Sequence, residues 1–245
     1  MVIPVVAAVA ALLIFVEWRW PGRELPVVRT WYGRLILLNA VQVMVILTLG
    51  AAHDRWLVQH RPWSADGLGT LGGGLVGYLA ITLVYYFWHR ARHTSPFLWR
   101  TLHQVHHSPQ RIEVLTSFYK HPLEIAINSL LSSAILYLGV GVSPAAAAVA
   151  ILVTGFAELF YHWNVSTPRW LGYVIQRPES HCLHHEQGVH GRNYADLPLW
   201  DMIFGTFENP ARFEGRCGFA EEREQRLGAM LAFSDVHGAR QEDGA

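Results

Sequence analysis

The chain has 245 residues, of which 51% are hydrophobic and 16% are charged, and its mean hydropathy is +0.19. These values argue against an ordinary soluble domain, and the equal totals of 19 basic and 19 acidic residues give no basic excess for nucleic acid binding. Two cysteines, Cys182 and Cys217, are too few for a disulfide framework and fit a reduced, cytosol-facing protein.

Apolar stretches along the chain predict an all-α integral membrane protein with four to five transmembrane helices. The stretches cover residues 2–16, 35–52, 69–88, 125–142 and 145–161. The third carries no charge over about 20 residues, which is the length needed to cross a hydrocarbon core of ~30 Å. Ser143 and Pro144 separate the last two and predict a tight hairpin, because the residue before a proline disfavours the helical conformation.

The distribution of arginine predicts the orientation in the membrane. Arginines are frequent in segments 17–34 and 89–124 and in the chain after residue 162, whereas segment 53–68 carries only Arg55 and Arg61. By the positive-inside rule, the arginine-rich segments face the cytoplasm. Five spans place the N-terminus outside, and a re-entrant hairpin at 125–161 leaves the same segments cytoplasmic. The sequence therefore predicts a helical cap on the cytosolic side.

Three histidine clusters stand out among the 14 histidines and predict a metal site in that cap. The clusters are HxxxH at His89 and His93, HxxHH at His103, His106 and His107, and HxxHH at His181, His184 and His185. Positions i and i+4 share one helix face, so both imidazoles of a pair can bind one ion. Two HxxHH motifs arise by chance in roughly one such sequence in a thousand.

Helix boundaries flank these clusters. The first cluster directly continues the third apolar stretch, so that helix extends beyond the bilayer core. Ser95-Pro96 predicts the start of the second cluster's helix, and Ser108-Pro109 predicts its end. Pro178 and Gly188 have the same roles for the third cluster.

Eight imidazoles are too many for one ion, because structural zinc sites use four ligands and catalytic ones three. The number predicts a binuclear centre with open coordination positions, and His162 at the end of the last span is a further predicted ligand. Imidazole binds zinc, copper and iron alike, so the ligand type leaves the metal open.

Other polar residues are predicted to support the ligands, because metal-bound imidazoles usually donate their second N–H to an acceptor. These residues are His121, Glu124, Glu158, Asn164, Glu186, His190, Asp196 and Asp201. Glu158 lies inside the last span, where it is either functional or paired with a nearby cation. His121 has the alternative role of an interface anchor, and His190 that of a solvent-exposed side chain. His53 and His60 are excluded because they lie on the opposite membrane side, and His237 because it lies in a polar tail.

The motifs resemble those of the fatty acid hydroxylase and sterol desaturase superfamily of membrane oxygenases. The three clusters occur in that family's order. The resemblance extends over about residues 75–208 and includes the segments His121-Pro122-Leu123-Glu124, His162-Trp163-Asn164, Asn193-Tyr194, Leu199-Trp200-Asp201 and Phe204-Gly205-Thr206.

The resemblance implies a cap with two iron ions, which zinc can replace in a purified sample. It also implies hydroxylation or desaturation of a sterol, fatty acyl chain or related lipid with O2 as co-substrate. The eight motif histidines are then the catalytic metal ligands, with His162 an addition. Where some lipid hydroxylases have a histidine four residues before His162, this chain has Glu158.

The resemblance also divides the chain and predicts its partners. We expect N-terminal transmembrane helices at 1–74, the hydroxylase-like domain at 75–208 and a polar tail at 209–245, in which 220–233 can form an amphipathic helix. No segment resembles the cytochrome b5 domain of some family members, so a separate cytochrome b5, ferredoxin or flavin reductase is expected to supply electrons.

Two alternatives remain open from the sequence. A zinc-dependent membrane hydrolase needs an acid-base carboxylate beside its ligands, and Glu186 next to His185 can serve, although no HExxH motif is present. A membrane metal transporter or sensor favours ligands within several spans, whereas these flank the spans on one side.

Overall fold

A computed structural model describes residues 2–237 of the chain and shows a helical protein. Within these residues there is no strand, and the only bridge joins Glu186 to Cys217. The helices are α1 Val2–Arg19, α2 Trp31–Gln59, α3 Asp66–Thr94, α4 96–107, α5 Pro122–Val140, α6 Pro144–His162, α7 Pro178–His184, α8 Pro198–Phe204, α9 Glu221–Glu224 and α10 Leu227–Leu231.

Four of these helices, α2, α3, α5 and α6, are long and apolar enough to cross a membrane, which confirms the lower number predicted. Their outward faces carry exposed apolar side chains such as Ile36 and Leu71, as expected of surfaces in contact with lipid. The first predicted span forms α1, whose transmembrane position stays a prediction.

Small residues bring α3 and α6 into close contact. A side chain on Gly73 would lie 2.9 Å from Cβ of Ala146, and one on Gly77 would lie 3.2 Å from Cβ of Ala150. Close approach of this kind is the usual way in which membrane helices associate, because lipid provides no hydrophobic drive between them. The α3–α6 pair therefore fixes the relative positions of the histidines at the ends of these two helices.

The predicted hairpin between the last two spans is present. Gly141 adopts a left-handed conformation with φ of 77°, and the Ser143 hydroxyl accepts a hydrogen bond from the amide of Ala146 at 3.2 Å. Pro144 is the first residue of α6. These three features end α5 and begin α6 within four residues.

The C-terminal segment packs against α4 and not on a free surface. The predicted helix at 220–233 is divided into α9 and α10, with Arg226 between them. The Gln104 amide donates to the carbonyl oxygen of Ser234 at 2.8 Å and accepts from the amide of Val236 at 3.2 Å. Residues 238–245 of the predicted tail lie outside the described residues.

Candidate metal centre

Four helices direct histidines toward one another at the same end of the bundle. The last turns of α3 carry His89 and His93, and α6 ends with His162. The clusters of α4 and α7 lie on buried turns of short helices. The starts of these helices follow the sequence signals: the Ser95 hydroxyl accepts a hydrogen bond from the amide of Leu98, and Pro178 is the first residue of α7. The nine predicted ligands thus come together from segments far apart in sequence.

The nine histidines form two groups, and in each group all the ligating nitrogens lie within 4.8 Å of one another. Group one contains five imidazoles, and two of them are half-buried. Its members are His89, His93, His103, His107 and His184. Group two contains four buried imidazoles, those of His106, His162, His181 and His185.

Helical geometry explains how each HxxHH motif contributes to both groups. Residues i and i+4 lie about 40° apart around a helix, whereas residue i+3 lies about 60° to the other side of residue i. Accordingly His103 and His107 enter group one and His106 enters group two, while α7 shows the reverse division. The two motifs therefore join the groups into one binuclear arrangement.

The protonation of the imidazoles shows that the groups are suited to cations. Nδ1 of His89 lies 2.7 Å from the carbonyl oxygen of Tyr194, and Nδ1 of His184 lies 2.7 Å from that of Arg192. A carbonyl oxygen only accepts, so each Nδ1 carries the proton and each Nε2 carries a lone pair. The two Nε2 atoms are nevertheless 3.0 Å apart. Two lone pairs at that distance repel each other unless a cation lies between them.

The spacing of the nitrogens also fits a bound metal ion. Neighbouring Nε2 atoms are 3.0–3.2 Å apart in group one and 3.1 Å apart in group two. Imidazole nitrogens bound to a metal at about 2.1 Å lie about 3.0 Å apart at a right angle and about 3.4 Å apart at a tetrahedral angle. The observed spacing is close to the right-angled value.

Burial keeps these imidazoles neutral. It lowers the pKa of His103, His106 and His107 well below the ordinary value for histidine, because the charged form loses its hydration. The same cause lowers the pKa of His181 well below that value and the pKa of His184 to about 3. A neutral imidazole retains the lone pair that a metal requires.

A loop that follows α7 orients two ligands of group one, and no chemical role was predicted for this loop. The carbonyl groups of Arg192 and Tyr194 accept from His184 and His89, as described above. Asn193 between them has a left-handed conformation with φ of 54°, and its side-chain amide donates to the carbonyl oxygens of Ser180 and Glu208. Backbone carbonyls have no residue signature, so only the unexplained Asn193-Tyr194 motif could have indicated this loop.

Asp201 acts on the same loop. Its carboxylate accepts from the backbone amides of Tyr194 and Ala195 at 2.8 and 2.9 Å, and from the hydroxyl of Thr206 at 2.7 Å. It contacts no ligating histidine directly. Asp201 therefore positions the Tyr194 carbonyl that holds His89.

Glu124 is the carboxylate in direct contact with a predicted ligand. It is fully buried, lies 3.1 Å from Nδ1 of His103 and forms an ion pair with Arg92. The carboxylate accepts a hydrogen bond from the Nδ1–H group of His103, which leaves Nε2 of that ring free to bind a metal.

Glu158 supports group two through its backbone and not through its side chain. Nδ1 of His162 donates to the carbonyl oxygen of Glu158 at 2.9 Å. The Glu158 carboxylate forms an ion pair with Lys120, which is the cation-paired alternative that the sequence left open.

The contacts of three other predicted supporting residues are with groups other than the ligating histidines. Nδ1 of His121 caps α5 by accepting from the amide of Leu123 at 3.0 Å, consistent with its alternative role as an anchor. Asn164 exchanges two hydrogen bonds with the backbone of Arg23. The carboxylate of Glu186 lies against Gly215.

Asp196 also contacts no ligand directly. Its carboxyl group lies beside the hydroxyl of Tyr161, and burial raises the pKa of Asp196 to about 7. The Tyr161 ring in turn packs on His181 with 4.3 Å between ring centroids.

An aromatic cover lies over group one. The Trp99 ring centroid is 5.4 Å from that of His93 and 5.3 Å from that of His107. On this side His190 and His237 also contact Trp99, at 5.2 and 5.6 Å, although neither belongs to a group. The sequence placed His237 in a polar tail, but the packing of the C-terminal segment on α4 brings it here.

The two other excluded histidines lie away from the groups. His53 Nε2 is 3.2 Å from the hydroxyl of Ser129, and His60 stacks on Trp56 at 4.1 Å.

Comparison with known proteins identifies the family. The model of the family described as fatty acid hydroxylase matches residues 74–206, which is more than half of the chain. The chain belongs to the fatty acid hydroxylase family. The matched region contains all nine histidines of the two groups. No solved structure matches the chain significantly.

Several relatives of this family member are lipid-modifying enzymes by name. The chain is 29% identical to the very-long-chain aldehyde decarbonylase GL1-5 of Oryza sativa subsp. indica over 74% of its own length and 29% of that protein. It is 29% identical to human alkylglycerol monooxygenase over 54% of its length and 29% of that protein. It is 30% identical to the ornithine lipid hydroxylase OlsE of Rhizobium tropici over 56% of its length and 42% of that protein. The chain therefore spans less than half of each of these relatives.

Proposed function

We propose that this protein is a membrane-bound, O2-dependent hydroxylase or desaturase of a lipid, with one iron ion in each histidine group. The single observation that carries the proposal is the convergence of nine imidazoles into two adjacent groups whose lone pairs require cations. Two iron ions held there would supply O2 activation and oxidation of an unactivated C–H bond. Family membership favours iron over zinc.

The protein's own residues would orient and shield this centre. The carbonyls of Tyr194 and Arg192 hold the Nδ1 protons of their histidine partners, so each Nε2 stays directed inward. Glu124 does the same for His103. Trp99 covers group one on the side of the C-terminal segment and excludes water there. Exclusion of water protects a reactive centre from side reactions.

The names of the relatives support a lipid as the substrate. An alkylglycerol, an ornithine lipid and a very-long-chain aldehyde share long alkyl chains. A sterol, a fatty acyl chain or a related lipid therefore fits the apolar helices that surround the centre. The apolar surfaces of α3 and α6 would let such a molecule approach sideways from the bilayer.

Orientation, electron supply and domain division are further parts of this proposal. The arginine-rich segments favour a metal centre on the cytoplasmic side. A separate cytochrome b5, ferredoxin or flavin reductase would then deliver electrons from the cytosol. The region around 75–208 would carry the catalysis, with the helices before it as membrane anchors.

The proposal is tested by comparing lipid extracts from membranes with wild-type protein and with the His106→Ala variant, under O2 and a reductant. We expect a new oxidised lipid only with wild type, at equal protein levels. His60→Ala is the matched control, since its exposed ring stacks on Trp56 away from both groups, and it should leave the product unchanged. Full product formation by iron-free protein, or a product that forms without O2, would contradict the proposal.

A further inference from the structure

Helix α8 has its charged side chain on the inside and apolar side chains on the outside. Four of its seven residues are apolar and between 38% and 58% exposed, namely Leu199, Met202, Ile203 and Phe204. Its single charged residue, Asp201, is completely buried. A helix on a water-facing surface has the opposite distribution, with its apolar stripe against the core and its charges outside. The distribution in α8 is the one expected of a helix in contact with lipid.

The position of α8 along α3 indicates its depth. The Trp200 indole nitrogen donates to the hydroxyl of Thr82 at 2.9 Å, and the Phe204 ring stacks on that of Tyr86 at a centroid distance of 4.9 Å. Both partners belong to the uncharged stretch 69–88 of α3. At 1.5 Å per residue, Thr82 lies about 9 Å below the end of that stretch. Helix α8 therefore lies beside the part of α3 that is predicted to cross the bilayer, and not beyond it.

The apolar face of α8 is continuous with the exposed surface of α3. The Phe204 ring meets that of Phe87 edge to face, also with 4.9 Å between centroids. Phe87 and its neighbour on α3, Val84, are themselves 49% and 37% exposed. The surface by which α3 would contact lipid therefore extends directly onto α8.

Aromatic side chains beside α8 resemble those at a membrane boundary. Tyr173, at the end of a short 3-10 helix, packs on Phe207 three residues after α8, with 5.7 Å between ring centroids. Tyr173, Trp170 and Arg169 of that short helix are all exposed. Tryptophan and tyrosine are enriched at the level of the lipid headgroups. This segment therefore fits the edge of a surface whose centre lies deeper in the bilayer.

A protein partner fits this surface less well than lipid does. Protein interfaces surround an apolar centre with a polar rim that forms hydrogen bonds. Segment 197–207 offers no such rim, because its one charged residue is the buried Asp201. The surface also continues onto a membrane helix, which a partner in the aqueous phase would not reach.

We propose that α8 is immersed in the acyl layer of the membrane leaflet nearest the metal centre, with lipid hydrocarbon as the partner of its exposed apolar face. The inference revises the expectation that the whole chain after residue 162 lies in the aqueous phase, and it does not depend on the proposed oxidation chemistry. One consequence concerns group one. Because Asp201 holds the backbone amide of Tyr194, whose carbonyl orients His89, a helix immersed in lipid supports a metal ligand.

Fluorescence quenching measures the position of α8. Metal-loaded protein is reconstituted at one chain per phospholipid nanodisc, with a fluorophore attached to Ile203→Cys or, in a second variant, to Met202→Cys. Both native cysteines are buried, so protein without these substitutions measures the background of labelling.

Two matched variants provide the references. Leu75→Cys carries the fluorophore on an exposed part of α3 within the apolar stretch, and Glu214→Cys carries it on an exposed, charged segment. We expect iodide in the water to quench Ile203→Cys at least about tenfold less than Glu214→Cys, because hydrocarbon excludes ions. Doxyl groups on the lipid acyl chains should quench Ile203→Cys as strongly as Leu75→Cys.

Two results would overturn the inference. Equal iodide quenching of Ile203→Cys and Glu214→Cys would place α8 in water. Protection of Ile203→Cys from both quenchers would mean that protein covers this face.

Photolabelling of the wild type tests the same point without a substitution. A phospholipid with a diazirine on its acyl chain is photolysed in the nanodiscs, and the labelled residues are located by mass spectrometry. We expect label within 199–204 at a yield similar to that within 75–79 of α3. Label on α3 without label on α8 would contradict the inference.

Discussion

The two histidine groups are similar in composition but are supported differently. In group one, the Nδ1 atoms of His89, His103 and His184, which point away from the group, contact a carbonyl or carboxylate oxygen. In group two only His162 has such a contact. The Nδ1 atoms of the other three, His106, His181 and His185, are buried without hydrogen-bond partners in the protein, as are those of His93 and His107 in group one.

The difference predicts how the groups hold metal. A hydrogen-bond acceptor for the ring nitrogen that does not bind the metal fixes the tautomer and orientation of the histidine. Such an acceptor typically contributes 10- to 100-fold to the affinity for the metal ion. Group one also has one more imidazole than group two. We therefore expect group one to bind its ion more tightly, while three of the four ligands of group two depend on helix packing alone.

The largest effect is expected from removing a ligand of each group. His181→Ala leaves three imidazoles in group two, and we expect this variant to lose the ion of group two completely. His184→Ala leaves four imidazoles in group one, and we expect the ion of group one to be retained in part of the molecules. Both should lower product formation by at least about a hundredfold. Elemental analysis per chain measures the ions. If His181→Ala kept two ions per chain and His184→Ala lost one, group two and not group one would be the tighter metal site.

The second-largest effect is expected from a substitution of Glu124, a residue of the span α5 that contacts His103 of group one. Glu124→Gln leaves Arg92 buried without its charged partner, so we expect a loss of about 3–5 kcal/mol in the free energy of unfolding. It should also lower the affinity of group one for metal 10- to 100-fold. Denaturant unfolding in detergent and metal titration measure the two quantities.

Glu158→Gln provides the control for this variant. The Glu158–Lys120 pair is less buried, with side chains 18% and 12% exposed, so about 1 kcal/mol is expected. Equal losses of stability in the two variants would show that Glu124 has no special role at the metal centre.

The pH dependence of the metal-free protein follows from the buried imidazoles of both groups. The folded-state pKa of His103, His106, His107 and His181 lies well below the unfolded value of about 6.5, and that of His184 is about 3, because burial disfavours the charged form. The unfolded chain therefore binds more protons below pH 6.5. This contribution to stability is complete above pH 6.5 and decreases as the pH falls toward the folded pKa, by about 1.4 kcal/mol per pH unit for each such histidine.

Thermal unfolding of chelator-treated protein between pH 8 and pH 4 tests this expectation. The midpoint should stay nearly constant above pH 6.5 and decrease below it. A midpoint that is unchanged down to pH 4 would mean that the imidazoles are protonated in the folded state or exposed to water.

A smaller effect is expected from Asp201→Asn. The substitution weakens the hold on the Tyr194 amide, so the Tyr194 carbonyl moves relative to His89 and the affinity of group one falls about tenfold. Group two should be unaffected. The rates of metal loss to a chelator separate the two groups, and faster loss from group two would contradict the route through Tyr194.

Much of this arrangement could be predicted from the sequence, because it depends on helical periodicity. The spacing of the clusters predicted a metal site, their number of histidines predicted two ions, and Ser95-Pro96 and Pro178 mark the starts of α4 and α7 in the structure. The assignment of His106 to a different group from His103 and His107 also follows from helical geometry. Position i+3 of the motif lies on the other side of position i from position i+4.

The remaining features could not be predicted because they depend on tertiary packing. The acceptors for His89 and His184 are backbone carbonyls, whose positions depend on the loop that Asn193 and Asp201 hold. The return of the C-terminal segment to α4, which brings His237 to Trp99, depends on contacts far apart in the chain. No local pattern in the sequence indicates either contact.

The central claim is that each histidine group binds one metal ion. Anomalous scattering at the iron absorption edge, from crystals of the iron-loaded protein, measures this most directly. We expect two peaks, one among the nitrogens of His89, His93, His103, His107 and His184, and the other among those of His106, His162, His181 and His185. A single peak, or a peak with no contact to these nitrogens, would contradict the account.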